Sequence, residues 1–380
     1  MILEATEAHQ FRNLSGTILW GRGLNIIHGN NGQGKTNWLE AIYLLSRTKS
    51  FRTARLHEAI AFGHEEAFVR GRVSSGLGLE RDLQVTLQGA SKTISVNGKK
   101  EPLAPFLSQL QVFAFTADEL EVVRGTPEAR RRFIDRGVAS LTPPYVQTLS
   151  DYSSVLKQKN RILQDAGDRE LSSIEVEDLL APWNDQLVTL GILIHGHRSD
   201  YVERMNEVLE RALFERRREV RIRYLSSLEG RGDLSDYETL LRDRLRVRLD
   251  AEVSAGRSLI GPHRDDLEIL LDGREMRVFG SSGQQRSALL LLDLAAISLY
   301  NSWSGSYPLF LIDDVDAELD EKRIGKLLEY LEGRTQTFVT TSKRSYLQGS
   351  ISGASVFEIE DGKAISDVRE RTTFSAALNR

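Results

Sequence analysis

Short apolar runs broken by glycine and turn residues fill the first hundred positions, and they predict strands with one helix among them. Leu24 to His28 (LNIIH) is largely apolar and runs straight into a glycine, the form of a buried parallel strand. A helix should follow, with Leu39, Ile42, Tyr43 and Leu44 at helical spacing and therefore in the core. VRGRVSS, RDLQVTL and KTISVNGKKEPL read as short strands, and Asn97-Gly98 is a strong hairpin signal, so an antiparallel side sheet is expected there.

From about Asp118 to Asp250 the pattern changes to long polar helices with charges of both signs and few turn signals. Strand-like signals return in LEILLDGREMRVF, with Asp272-Gly273 as a second hairpin, then comes a very apolar helix, then YPLFLID. This predicts an α/β core split in sequence by a helical insert: residues 1–117, a second domain over 118–250, and residues 251–380 completing the core. No repeat of fixed period and no low-complexity tract interrupts it. Residues after about Arg369 read as a loosely held tail.

With 380 residues the chain is too long for one ordinary core. A hydrophobic fraction of 40% and a charged fraction of 27% place it among folded globular proteins. No stretch is apolar enough for a membrane span, and MILEATEAHQFRN lacks the form of a signal peptide, so a cytoplasmic protein is expected. The absence of cysteine excludes disulfides, thiolate metal sites and cysteine nucleophiles. A net charge of −4 argues against coating nucleic acid by bulk electrostatics, so any DNA contact must be local.

Gly29-Asn30-Asn31-Gly32-Gln33-Gly34-Lys35-Thr36 fits GxxxxGK[ST] and stands between an apolar strand and a helix, as a phosphate loop must. Glycines let successive backbone amides turn toward phosphate oxygens, and the helix N-terminus adds free amides and its dipole. The pattern assigns Lys35 to the β- and γ-phosphates and the Thr36 hydroxyl to Mg²⁺. The other reading, a glycine-rich turn without ligand, sits poorly with that flanking context. Leu309-Phe310-Leu311-Ile312-Asp313-Asp314 is an apolar strand ending in two carboxylates, the form of a Walker B element. Asp313 reads as a Mg²⁺ holder through water and Asp314 as the group that polarises the attacking water. Strand-end acids can also merely cap loops, and the upstream phosphate loop tips the balance.

Ser281-Ser282-Gly283-Gln284-Gln285 opens the apolar helix SALLLLDLAAISLY and is either an ordinary N-cap or a second anion site. Arg130, Arg131 and Arg132, and likewise Arg216, Arg217 and Arg218, are candidates for tracking a duplex backbone without reading bases. Acids are interleaved, with 22 Arg and Lys against 25 Asp and Glu between Asp118 and Asp250, so the rival reading is solvated or paired arginines. Arg242, Arg244, Arg246 and Arg248 alternate, scattered round a helix or aligned on a strand. His195 and His197 have no ligand partners nearby and do not read as a metal site, whereas His263 in GPHRDD is a candidate for the site.

The order phosphate loop, helical insert, SxGQ helix, Walker B and Asp316-Ala317-Glu318-Leu319-Asp320 resembles that of ATP-binding-cassette heads, shared by transporters, SMC proteins and repair ATPases. More narrowly, Gly29 to Arg52, Gly125 to Asp135, Gly261 to Gly273 and Ser281 to Arg286 together resemble the RecF family of bacterial DNA repair proteins, over nearly the whole chain. Phe11-Arg12-Asn13 matches too, where related heads put an arginine near the phosphates, which adds Arg12 and Asn13 to the ATP-binding candidates.

The resemblance implies an ABC-type ATPase head, with mixed sheet and antiparallel side sheet, plus an inserted helical domain. It further implies ATP and Mg²⁺ as ligands, an ATP-dependent homodimer with weak ATPase activity, double-stranded and gapped DNA, RecR as partner and RecA as the protein being loaded, at the nucleoid and away from membranes. Ser281, Gly283 and Gln284 would then meet the γ-phosphate held by the other copy's Lys35, and Asp316 to Asp320 would cross the dimer seam. Asp314 stands where transporter heads carry glutamate, which suits slow turnover. Their switch histidine is missing from Phe338 to Ser342, where Thr340 and Thr341 are both candidates for sensing phosphate, and Thr116-Ala117 departs from the lid loop of relatives. The rival is an ABC-type head of another, SMC-like chromosome-maintenance machine. The insert, however, leaves at most ~60 residues per antiparallel helix, roughly 90 Å, without sustained heptads for a long arm.

Overall fold

The structure, a computed structural model, describes residues 1–74, 78–169, 172–211, 219–318, 321–343 and 353–368. The chain divides into two compact units, Met1–Glu119 with Tyr300–Arg380, and Leu120–Leu299.

The first unit holds two six-stranded sheets. In the antiparallel one the strand order is Leu14–Leu19, Ile2–Phe11, Glu66–Ser74, Glu80–Gln88, Ser91–Val96, Lys99–Lys100. Asn97 (φ 50°) and Gly98 (φ 75°) both take the left-handed backbone that a two-residue hairpin turn demands, so the expected hairpin forms. The mixed sheet runs Lys363–Val368, Ser355–Glu360, Leu24–His28, Thr337–Thr341, Leu309–Ile312, Val112–Phe115; all but the first of these are parallel. Helix Lys35–Arg47 packs against strands of both sheets. Trp38 from this helix meets Trp20 edge-on, and Trp20 in turn meets Phe338 and Phe357, which knits the core beneath the loop.

The topology places Thr337–Thr341 between the phosphate-loop strand and the acidic strand. Its register aligns Val339 with Ile26 on one side and Ile312 on the other, so three strands deliver their C-terminal ends to one edge.

The second unit contains helices Pro127–Leu141, Tyr145–Arg169, Ser173–Glu210, Tyr237–Val247 and Leu249–Ala255, and a three-stranded sheet ordered Arg274–Glu275, Asp266–Leu271, Val220–Leu225. Ser173–Glu210 has 38 residues, roughly 57 Å at the α-helical rise, and opens with a reciprocal cap between Ser172 and Glu175. The insert is mainly helical, as expected, and adds strand Val220–Leu225, which pairs along six residues with Asp266–Leu271. Two expectations are corrected here. The Asp272-Gly273 hairpin forms, but after Arg274–Glu275 the chain turns into the short helix Met276–Phe279 instead of a longer strand. The unit ends near Leu299 and not at residue 250, since that strand pairing ties residues 266–271 to the insert. No described helix is long and apolar enough to cross a membrane.

Candidate nucleotide-binding site

Strand Leu24–His28 is buried from Asn25 to His28, and the chain then curls through Gly29, Gly32 and Gly34, all at positive φ (148°, 82° and 106°). Side chains have no room at the ends of this curl: a Cβ at Gly29 would lie 2.5 Å from the Ile359 carbonyl oxygen, and one at Gly34 2.8 Å from Asn13 Oδ1. Helix Lys35–Arg47 then begins without a side-chain cap, so its first amides face the loop. Lys35 Nζ donates to the carbonyls of Gly29 (2.8 Å) and Asn30 (3.0 Å). Burial lowers its pKa, while the nearby carboxylates of Asp314, Asp316 and Asp313 favour the charged ammonium.

At the neighbouring strand end, Asp313 Oδ1 accepts hydrogen bonds from the hydroxyls of Thr36 (2.9 Å) and Thr340 (2.7 Å). Three segments more than twenty residues apart thus converge on one carboxylate oxygen. Burial pushes the Asp313 carboxyl above the usual range despite both hydroxyls, and burial together with the charge of Asp316 raises Asp314. Asp314 adopts φ 48°, a left-handed backbone uncommon for a non-glycine residue, and gives its N–H to Thr340 Oγ1 at 2.7 Å. The two threonines are therefore separated: Thr340 faces Asp313 and Asp314, and the Thr341 hydroxyl bonds Asp316 and accepts the N–H of Lys343 at 3.1 Å. Ser342 binds Asp316 through both its N–H (3.4 Å) and its hydroxyl (2.8 Å). Burial works to raise Asp316, and bonds from Thr341 and Ser342 outweigh it and hold the carboxyl below its ordinary value.

A hydroxyl and a carboxylate presented together at a glycine loop are hard oxygen donors, the kind that hold Mg²⁺ when phosphates complete the shell, so these residues fit that cation. Among the described residues no cluster of three or more His, Cys, Asp and Glu could hold a metal without such help.

Supports that the sequence did not flag surround the loop. Gln33 is clasped by the turn at Asp361-Gly362: its carbonyl accepts the Gly362 N–H (2.8 Å) and its Oε1 that of Asp361 (2.7 Å). That Asp-Gly pair between two strand-like runs was the available signal. Asn13 touches the loop, with Nδ2 3.4 Å from the Gln33 carbonyl, and Asn37 donates to its Oδ1 at 2.7 Å. Arg12 forks the fully buried Glu40 with its guanidinium (3.0 and 2.8 Å) and donates to the Glu58 carbonyl. Thr116 is buried and accepts the Glu119 N–H (3.3 Å), so its hydroxyl caps a local turn.

In the second unit Ser281 and Gln284 cap the helix Ser282–Ser304 reciprocally, Ser281 N–H to Gln284 Oε1 at 2.9 Å and Gln284 N–H to Ser281 Oγ at 3.4 Å. Ser281 and Gly283 are exposed, and a Cβ at Gly283 would meet nothing within 4 Å. The arginine triplet is corrected. Arg130 is 3% exposed and forks Asp266 (2.6 and 2.9 Å), Arg131 donates to the Asp265 carbonyl (2.7 Å), and the exposed Arg132 pairs with Glu128. Arg130 thus spends its guanidinium on the fold, while the half-buried Arg131 gives it one nitrogen. Arg216, Arg217 and Arg218 lie outside the described residues, as do Leu319, Asp320 and the tail after residue 368. The alternating arginines Arg242, Arg244 and Arg246 scatter round helix Tyr237–Val247, with Arg242 paired to Asp185 and Glu238. His263 is half-buried, its Nδ1 2.8 Å from the Tyr152 hydroxyl, and His195 stacks on Tyr237 at 3.9 Å.

The RecF/RecN/SMC N-terminal domain family matches residues 2–364. The DNA replication and repair protein RecF of Shouchella clausii (strain KSM-K16) is 33% identical over 371 residues, 95% of this chain and 98% of the relative. That of Geobacter sp. (strain M21) is 37% identical over 363 residues, 93% and 97% of the two chains. A solved structure of the recombination mediator protein RecF with ATP in the RecFOR pathway matches with a TM-score of 0.86 at 31% identity over 96% of each chain. The Smc head domain of Pyrococcus furiosus matches with a TM-score of 0.53 at 16% identity over 96% of this chain and 95% of that one, a likeness of fold alone. With a family match over most of its length and relatives above 30% identity along nearly all of it, this chain belongs to the RecF family of DNA replication and repair proteins.

Proposed function

We propose that this protein binds ATP at Gly29 to Thr36 and hydrolyses it slowly in a homodimer, where Ser281 and Gly283 of each copy, with Gln284, cap the γ-phosphate held by Lys35 of the other. In this reading the cycle serves recombinational repair and replication restart at the nucleoid: the dimer grips double-stranded and gapped DNA and, with RecR, helps to load RecA. The observation that carries it is the convergence of Thr36 and Thr340 on Asp313 Oδ1, which joins phosphate loop, acidic strand and central strand in one constellation. The RecF structure with ATP supports the choice of nucleotide.

Mg²⁺, held by the Thr36 hydroxyl and the Asp313 carboxylate, would neutralise charge on the triphosphate. Lys35 exchanges two carbonyl partners for phosphate oxygens, and the loop amides orient the chain of phosphates for in-line attack. Asp314, raised in pKa by burial and by Asp316, sits one residue beyond and orients the attacking water as its proton acceptor. Ser281 adds its hydroxyl and helix-end amides to the γ-phosphate from the partner's side. Lys35→Met removes the ammonium from the β- and γ-phosphates, so equilibrium dialysis with labelled ATP should show binding abolished. Tight binding by that variant refutes the assignment.

A further inference from the structure

The sequence leaves Thr340 and Thr341 as equal candidates for sensing phosphate, and the geometry gives Thr340 a different task. It is 1% exposed and sits on the central strand, one step beyond the Val339–Ile312 pairing, which sets it beside Asp313. Its hydroxyl makes two bonds of 2.7 Å, one to Asp313 Oδ1 and one with the Asp314 backbone N–H. A hydroxyl has a single hydrogen, so the directions follow: the proton goes to the carboxylate and a lone pair takes the N–H. Asp314 holds φ 48°, and a backbone of that kind persists where its surroundings fix it. Thr36 binds the same oxygen of Asp313 at 2.9 Å, so that oxygen is pinned from two sides.

We propose that Thr340 is a positioning residue for ATP hydrolysis: its hydroxyl aims the Asp313 carboxylate at the cation site and locks the turn that presents Asp314 to the γ-phosphate. The inference rests on the ATP reading above. Thr341, equally buried, bonds Asp316 and the backbone of Lys343 and takes no part in the bonds to Asp313 and Asp314.

Thr340→Val keeps the branched shape and removes the hydroxyl. Its ATP affinity in EDTA, measured by equilibrium dialysis, should stay within about twofold of the parent, since Lys35 and the loop amides are untouched. The gain in ATP affinity on adding Mg²⁺, and kcat at saturating Mg²⁺, should both fall about 10- to 100-fold with little change in KM. Thr340→Ser should restore both. Should valine melt early, Thr340→Ala is expected to show the same losses. A Thr340→Val protein with parental kcat and Mg²⁺ dependence overturns the proposal, as does a Thr340→Ser protein that keeps both losses; in either case ATP binding by the parent still stands. Failure of the parent itself to bind ATP removes the reading underneath and the proposal with it.

Discussion

Lys159 holds its ammonium 2.6 Å from the Glu252 carboxylate, and neither side chain has any solvent exposure. Glu252 also accepts the Ser258 hydroxyl (2.9 Å) and the Leu259 N–H (2.7 Å), so this pair fastens helix Tyr145–Arg169 to Leu249–Ala255 and the turn beyond. Burial lowers the lysine pKa, and Glu252 works against that shift. Removing one partner strands a buried charge, so Lys159→Met or Glu252→Gln should each cost about 3–5 kcal/mol. The double variant Lys159→Met with Glu252→Gln should recover part of that loss. Urea unfolding of the three proteins checks it, and a single substitution costing under about 1 kcal/mol contradicts the pairing.

His263 makes stability depend on pH. Burial, and then the charges of Arg264, Lys159 and Arg131, push its pKa down to about 3 against a favourable bond to the Ser258 carbonyl. Below the ordinary value near 6.5 the unfolded chain takes up a proton that the folded chain refuses, so stability falls as pH drops from there toward 3. The slope is about 1.4 kcal/mol per pH unit for this residue, or about 2 kcal/mol at pH 5. His263→Gln should flatten that part of the profile, and parallel profiles for parent and variant between pH 7 and pH 5 would falsify the assignment.

Asp314→Asn should retain ATP binding and lose hydrolysis by roughly 10²- to 10⁴-fold, since an amide cannot accept the proton of the attacking water. An ATP-bound dimer should then accumulate. Light scattering at saturating Mg-ATP reads this directly, and a monomer there contradicts the role of Asp314.

Ser281→Arg should bind ATP normally yet neither dimerise nor hydrolyse, because its added charge and bulk project from an exposed helix start. Mixing it with Lys35→Met should restore activity that neither has alone. In the mixed dimer one composite site keeps both Lys35 and Ser281, and the introduced guanidinium faces the other site, which takes no nucleotide. No recovery on mixing argues that the two elements never share a site.

The features legible in the sequence are those fixed within a few residues. Asn97-Gly98 and Asp272-Gly273 turn the chain because their own backbones tolerate positive φ, and the glycines of the phosphate loop curl for the same reason. The apolar strand ending at Asp313-Asp314 and the helix after Lys35 are equally local, written in run length and in period.

The rest depends on partners far away in the chain, which periodicity does not encode. Arg130 belongs to the fold because Asp266, 136 positions later, meets it from a neighbouring strand. Arg12 turns to Glu40 for a like reason, and Val220–Leu225 is a strand because residues 266–271 supply its hydrogen bonds. Thr340 and Thr341 are the same residue type side by side, and only the parallel register, with successive side chains on opposite faces, sends one to Asp313 and Asp314 and the other to Asp316 and Lys343. Residue type and local spacing set the chemistry this chain carries, while tertiary pairing decided which of its charged and hydroxyl groups are free to perform it.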